Sequence, residues 1–274
     1  MSKQDLLDKI KDYEKKGLFD VDVNEDPAAP QLLPKDADYL CKKTSNKIKR
    51  FIANFIADRF FLKLIKKGEL IIDGIENEHI LKDALKNGAV ITCNHFSEFD
   101  NYIIFHCIRK YLPKKYLYKV IREGNYTNFP GLYGFFFKHC NTLPLSSNAR
   151  TMMMFLSSVN KLLTSGESIL IYPEQAMWWN YKKPRPFKIG AFKMAKKANV
   201  PILPLFISMK DDPNKVDNEG FPLQRHTLHV LNPIYPDINV NAKLDAENMM
   251  EKAYNACKEK YEDVYKCKLT YNEE

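Results

Sequence analysis

From Leu70 onward, short apolar runs alternate with helix-length stretches, and this rhythm constrains the fold more than any other feature of the chain. Residues 70–72, 90–93, 116–121, 142–145, 168–172, 202–208 and 227–231 are the expected strands. Helical patterns cover 78–86, 97–111 (stopped by Pro113), 131–139, 149–164, 189–199 and 242–265, several of them ended by glycine. Strands separated by helices of this length pair in parallel, because an antiparallel neighbour needs only a short turn. The expected fold is therefore α/β: a central mixed, largely parallel sheet flanked by helices, with an N-terminal amphipathic helical motif. Ligands of such sheets bind beyond the carboxyl ends of the strands.

The first 67 residues follow a different pattern and are expected to form a separate helical region, with residues 68–274 as the α/β domain. Residues 6–16 suit a short charged helix ending at Gly17, and the acidic, proline-containing stretch 20–34 suits an irregular connector. Residues 36–67 are expected to form two helices, broken near Thr44-Ser45-Asn46. In the second, Ile48, Phe51, Ile52, Phe55, Ile56 and Phe60 recur at helical spacing beside Lys47, Lys49, Arg50, Arg59, Lys63, Lys66 and Lys67. An aromatic face flanked by cations fits a helix lying in a membrane interface. The same pattern also fits a helix packed on its own domain with a solvated basic back.

Composition narrows the partners. A net charge of +8 favours something anionic, whether a lipid surface, a nucleic acid or a phosphorylated molecule. The N-terminal stretch is charged throughout, so no signal peptide is expected, and no apolar run approaches the roughly 20 residues that span a bilayer. The six cysteines have neither metal-ligand nor C-x-x-C spacing and fit reduced thiols, which places the chain in the cytoplasm. No phosphate-cradling glycine loop is present, and no nucleic-acid recognition motif. His226 and His229 lie three apart on an expected strand and face opposite ways, a poor metal pair. His106, His139 and the run Met152-Met153-Met154-Phe155 fit packing positions.

Chemistry concentrates at Asn94-His95-Phe96-Ser97-Glu98-Phe99-Asp100, directly after the apolar run 89–93. A strand exit of this kind places an imidazole and a carboxylate near each other at the sheet rim, a general base with the group that orients it. Histidine titrates near ~6.5 and is a competent base at neutral pH. Ser97-x-x-Asp100 also satisfies a capping-box-like helix start, which alone would account for the aspartate.

Further along come Phe129-Pro130-Gly131, Tyr172-Pro173-Glu174-Gln175 and Val200-Pro201-Ile202-Leu203-Pro204. In this order and spacing, over residues 68–209, the chain resembles the glycerolipid acyltransferases, typified by the 1-acyl-glycerol-3-phosphate acyltransferases. The resemblance implies transfer of a fatty acyl group from acyl-CoA or acyl carrier protein to a lipid hydroxyl, as in phospholipid biosynthesis, with no bound cofactor. It implies His95 as general base, Asp100 as its orienting partner, and Glu174, with Asn94 and Gln175 beside these motifs, at the acceptor. A peripheral position on the inner face of the cell membrane follows from the same resemblance.

Two departures bear on the substrate. The family's third block usually reads F-P-E-G followed by a hydroxyl residue and an arginine, whereas this chain has Gln175 in place of the glycine and Met177 in place of the arginine. An arginine expected near residues 145–147 is also missing. Replacement cations for an anionic headgroup are offered by Lys182, Lys183 and Arg185, beside Trp178 in an aromatic, proline-rich stretch, and by Arg122 and Lys119. An ordered surface loop is the plainer account of residues 178–186. A non-catalytic lipid-binding protein of the same fold is the alternative function, but binding alone has no use for a base at a strand end.

Overall fold

The computed structural model describes residues 2–23, 28–112 and 116–271. The stop at Pro113 and part of the 20–34 connector lie outside the described residues.

Helix α1 (Lys3–Lys15) starts in a capping box in which Ser2 and Asp5 each bond the other's backbone. Helix α2 (Thr44–Lys67) is single. The expected partner helix over residues 36–43 does not form. Asp38 instead draws the amides of Lys42 and Lys43 and the Asn46 side chain onto its carboxylate, and Cys41 takes a left-handed φ of 52°. The resulting turn delivers the chain into α2.

The body continues as β1 (Ile71–Glu76), α3 (Leu81–Ala84), β2 (Val90–Thr92), α4 (Asp100–Ile108), β3 (Leu117–Ile121), α5 (Glu123–Thr127), α6 (Gly131–His139) and β4 (Thr142–Pro144). It closes with α7 (Ala149–Thr164), β5 (Ser168–Ile171), α8 (Gly190–Ala198), β6 (Ile202–Val216), β7 (Pro222–Val230) and α9 (Ala242–Tyr265). The seven strands form one sheet in the order β1-β7-β6-β2-β5-β3-β4. Its pairings are parallel except β6 with β7, so the expected mixed, largely parallel α/β sheet is what forms.

Strand β2 lies at the centre, and the alternation of its side chains feeds two cores. Ile91 joins Leu170, Leu203 and the α4 residues Ile103, Ile104 and Ile108 on one face. Val90 joins Ile169, Ile202, the α7 residues Phe155 and Val159, and Phe192 of α8 on the other. The chain therefore leaves β2 toward one face and β5 toward the opposite one, and the two strands are neighbours with Thr92 beside Ile171. A crevice opens where adjacent connections diverge in this way. Gly88 permits the close fit: its φ is +80°, and a Cβ there would lie 2.5 Å from the Glu167 carbonyl oxygen.

Candidate active site

His95 and Glu174 emerge from the carboxyl ends of β2 and β5, on the same rim of the sheet. The carboxylate of Asp100, the first residue of α4, turns back toward the strand and places Oδ2 2.6 Å from His95 Nδ1. Ser97 Oγ accepts from the Phe99 amide and does not cap α4. Of a capping box only the reverse bond is present, the Ser97 amide 3.5 Å from Asp100 Oδ2, so the helix start alone does not account for Asp100. Oδ2 also accepts from the Phe96 amide at 3.3 Å, and Oδ1 accepts from the Tyr172 hydroxyl at 2.7 Å. The Tyr172 ring lies against the imidazole with centroids 3.9 Å apart and planes 10° from parallel. Asp100 is fully buried, whereas the His95 side chain retains 19% exposure. With Nδ1 on the carboxylate, Nε2 has no partner among the described residues.

Beneath this pair lies a second one. Arg185 is fully buried and donates to Glu174 Oε2 through Nε at 3.1 Å and Nη2 at 2.7 Å, while its amide donates to Oε1 at 2.9 Å. Glu174 Oε2 accepts the His95 amide at 3.2 Å, and Arg185 Nη2 donates to the His95 carbonyl at 3.2 Å. The peptide units of His95 are thus gripped at N–H and C=O by one ion pair. The amides of Trp178 and Asn180 add bonds to the carbonyls of His95 and Phe96.

Both termini of the chain clasp this loop. Phe19 and Val21 offer carbonyls to Arg185 Nη1 and the Trp178 indole, each at 2.9 Å. The Tyr271 hydroxyl donates to the Pro184 carbonyl at 2.6 Å, and its ring meets Phe19 with centroids 4.5 Å apart. Ile10, Val23, Ala176 and Trp178 form a small buried cluster, so residues before 24 contribute to the same unit as the loop.

A family model described as Acyltransferase matches residues 73–208, which include His95, Asp100 and Glu174. The chain belongs to the acyltransferase family. An uncharacterized acyltransferase of Schizosaccharomyces pombe is 30% identical over 167 residues, 58% of this chain; the match spans 55% of that relative's length. The fold resembles that of the 1-acyl-sn-glycerophosphate acyltransferase PlsC of Thermotoga maritima, with a TM-score of 0.55, 15% identity, and coverage of 85% of this chain and 87% of that one.

Other sequence-predicted site residues of this acyltransferase fall in different places. Asn94 is buried and ties β2 to β6, exchanging bonds with the Ile207 amide and carbonyl, so its side chain is spent on the sheet. Gln175 stands exposed at the rim with φ +67°, a conformation that suits the glycine of the family pattern and costs a residue with a Cβ roughly 1–2 kcal/mol. The expected headgroup loop is corrected: Trp178 and Arg185 point inward and are fully buried, because the indole completes the cluster of residues 10–23 and the guanidinium has Glu174 to neutralise it. Lys182 lies 3.4 Å from Asp211 and Lys183 2.8 Å from Glu14. Arg122 follows β3 and pairs with Asp22. Lys119 turns away to the Cys140 carbonyl at 2.8 Å.

The remaining titratable groups near the rim are quiet. Burial, reinforced by the Asp100 charge, pushes the Cys93 thiol well above its ordinary range, so no thiolate nucleophile stands beside His95. His226 bonds the Ile71 carbonyl, and His229 bridges Glu76 and Ser208. Of the methionine run, Met153 is 66% exposed and only Phe155 is fully buried. Tyr172, which touches both His95 and Asp100, is the neighbour of the pair that sequence reasoning passed over, although a tyrosine where the family pattern has phenylalanine was the available signal.

Proposed function

We propose that this acyltransferase moves a fatty acyl group from an acyl-CoA or acyl-carrier-protein thioester to a lipid hydroxyl, by default that of 1-acyl-glycerol-3-phosphate, giving phosphatidic acid at a membrane surface. The observation that carries the reading is the His95 Nδ1 to Asp100 Oδ2 contact of 2.6 Å at the carboxyl end of the central strand, with Nε2 unpartnered among the described residues. In this reading Nε2 takes the proton of the acceptor hydroxyl as its oxygen attacks the thioester carbonyl carbon. Asp100 keeps the proton of neutral His95 on Nδ1 and balances the imidazolium that forms. The tetrahedral intermediate then collapses with loss of the C–S bond, and the thiolate recovers the proton from Nε2. No acyl-enzyme is required, in keeping with the protonated Cys93.

Testing the reading requires the purified protein, labelled acyl-CoA and acyl-carrier-protein thioesters, and a panel of lysolipids, with products identified by mass spectrometry. Acylated 1-acyl-glycerol-3-phosphate is the expected product. Transfer to water alone, or to no acceptor, overturns it.

The membrane half of the proposal rests on α2. Phe51 is 72% exposed, and Ile48, Ile52, Phe55 and Ile56 share that open face, while Phe61, Leu64 and Ile65 pack against the body. Phe129, Leu132 and Tyr133 extend the apolar surface from the start of α6. Contiguous exposed apolar area beside lysines fits a helix that lies on anionic lipid, and no helix among the described residues is long and apolar enough to cross a membrane. The double variant Phe51→Glu/Phe55→Glu is expected to lower partition onto phosphatidylglycerol-containing vesicles at least about tenfold in flotation without loss of folding. Binding of the parent chain should also weaken with salt. Equal flotation of variant and parent removes α2 as the docking face.

A further inference from the structure

Tyr172 engages His95 and Asp100 at once, with Asn101 Oδ1 a longer 3.3 Å from its hydroxyl. Its ring covers one face of the His95 imidazole, and its hydroxyl donates to the Asp100 oxygen that His95 does not use. A carboxylate torsion is broad and roughly two-fold when left free. Here Oδ1 is tied to Tyr172, and Oδ2 to His95 and the Phe96 amide, so one orientation remains. The imidazole is likewise pinned by one edge and one face, and its Nε2 is left without a partner among the described residues. Burial, reinforced by the Asp100 charge, pushes the Tyr172 phenol well above its ordinary range, so the hydroxyl keeps its proton and remains a donor.

We propose that Tyr172 is a positioning residue of the base: its ring clamps His95, and its hydroxyl fixes the Asp100 carboxylate in the orientation that serves Nδ1. The inference rests on the acyl-transfer reading for its kinetic consequences but on the contacts alone for its geometry. Other groups around the pair do not substitute for it. Cys93 stays a thiol beneath Asp100. The Glu174–Arg185 pair engages the His95 main chain. Another imidazole, His226, stacks on Phe96 with centroids 5.6 Å apart, and burial lowers its pKa. Tyr172 also serves the reaction as it proceeds, since an imidazolium forming against an aromatic face is stabilised by the ring.

The two contributions separate by substitution. Tyr172→Phe keeps the clamp and leaves Asp100 Oδ1 without its donor; Tyr172→Leu removes both. The expected kcat falls about three- to thirtyfold for Tyr172→Phe and about a hundredfold for Tyr172→Leu, with the acceptor KM little changed. The acid limb of the pH–rate profile should move to higher pH in Tyr172→Phe, because a carboxylate that loses a donor acts more strongly on the imidazole. A merely structural role would lower thermal stability and leave the profile in place.

An independent readout needs no turnover. The Nδ1–H proton of His95 should give a downfield resonance in ¹H–¹⁵N spectra of the full chain, assigned through its loss in His95→Asn. It should move in Tyr172→Phe. A resonance that does not move overturns the proposal whatever the rates. If the parent chain transfers acyl groups to nothing and the resonance still moves, the functional reading has failed and the positioning role stands.

Discussion

His95→Ala is expected to lower acyl transfer by about 10²–10⁴-fold, the range a positioned general base supplies, while the protein stays folded. The side chain is partly exposed, and the bonds at this position that brace the loop belong to its main chain, so truncation leaves the Glu174 and Arg185 contacts in place. Asp100→Asn should fall by a comparable factor for a different reason. The amide preserves volume but removes the charge that balances the imidazolium, and it offers one oxygen where the carboxylate accepts through two. Thiol release on adding acceptor, followed beside thermal melting, separates chemistry from unfolding. A folded His95→Ala protein that retains more than about a tenth of parental activity would falsify the assignment of the base.

The largest stability effect is expected at Arg185. Replacing it by Met leaves Glu174 as an uncompensated buried carboxylate and removes donors from the carbonyls of Phe19, His95 and Ala176. Breaking a buried ion pair from one side costs about 3–5 kcal/mol, a large fraction of a domain's total stability. Removing both charges together, as in Glu174→Leu/Arg185→Met, should recover part of that loss, because the desolvated charge is gone. Urea unfolding midpoints at constant m-value measure both variants. A single Arg185→Met cost below about 1 kcal/mol would mean that water already reaches the pair, contrary to their exposures of 0% and 1%.

What the sequence disclosed follows the reach of its signals. The strand–helix rhythm is a local, buried pattern, so the order of elements and the sheet class were legible in it. The His95–Asp100 pair was legible because five residues suffice to turn from a strand into a helix. The extensions of β6 to Val216 and of β7 back to Pro222 were not. That ribbon is largely exposed and held by backbone bonds, so it carries no apolar alternation. Arg185 was misplaced for a related reason. An arginine in a polar, proline-rich stretch belongs on the surface by composition, and only tertiary structure brings Phe19, 166 residues away, to accept from it. The open face of α2 shows the opposite case. Its spacing was clear in the sequence, but which apolar residues face the body and which remain uncovered depended on where α6 packs.

The loop that braces His95 is closed by Phe19 and Val21 from one end of the sequence and by Tyr271 from the other. A ribosome makes the first of these long before the last. A nascent chain therefore carries His95, Asp100 and the open α2 face while the brace is still unfinished. Contacts as far apart in sequence as Phe19 and Tyr271 also form slowly, because the loop they close is long. The support around His95 is therefore completed only when Tyr271 has been made, and a shorter nascent chain holds the loop without the bond from Tyr271 to the Pro184 carbonyl.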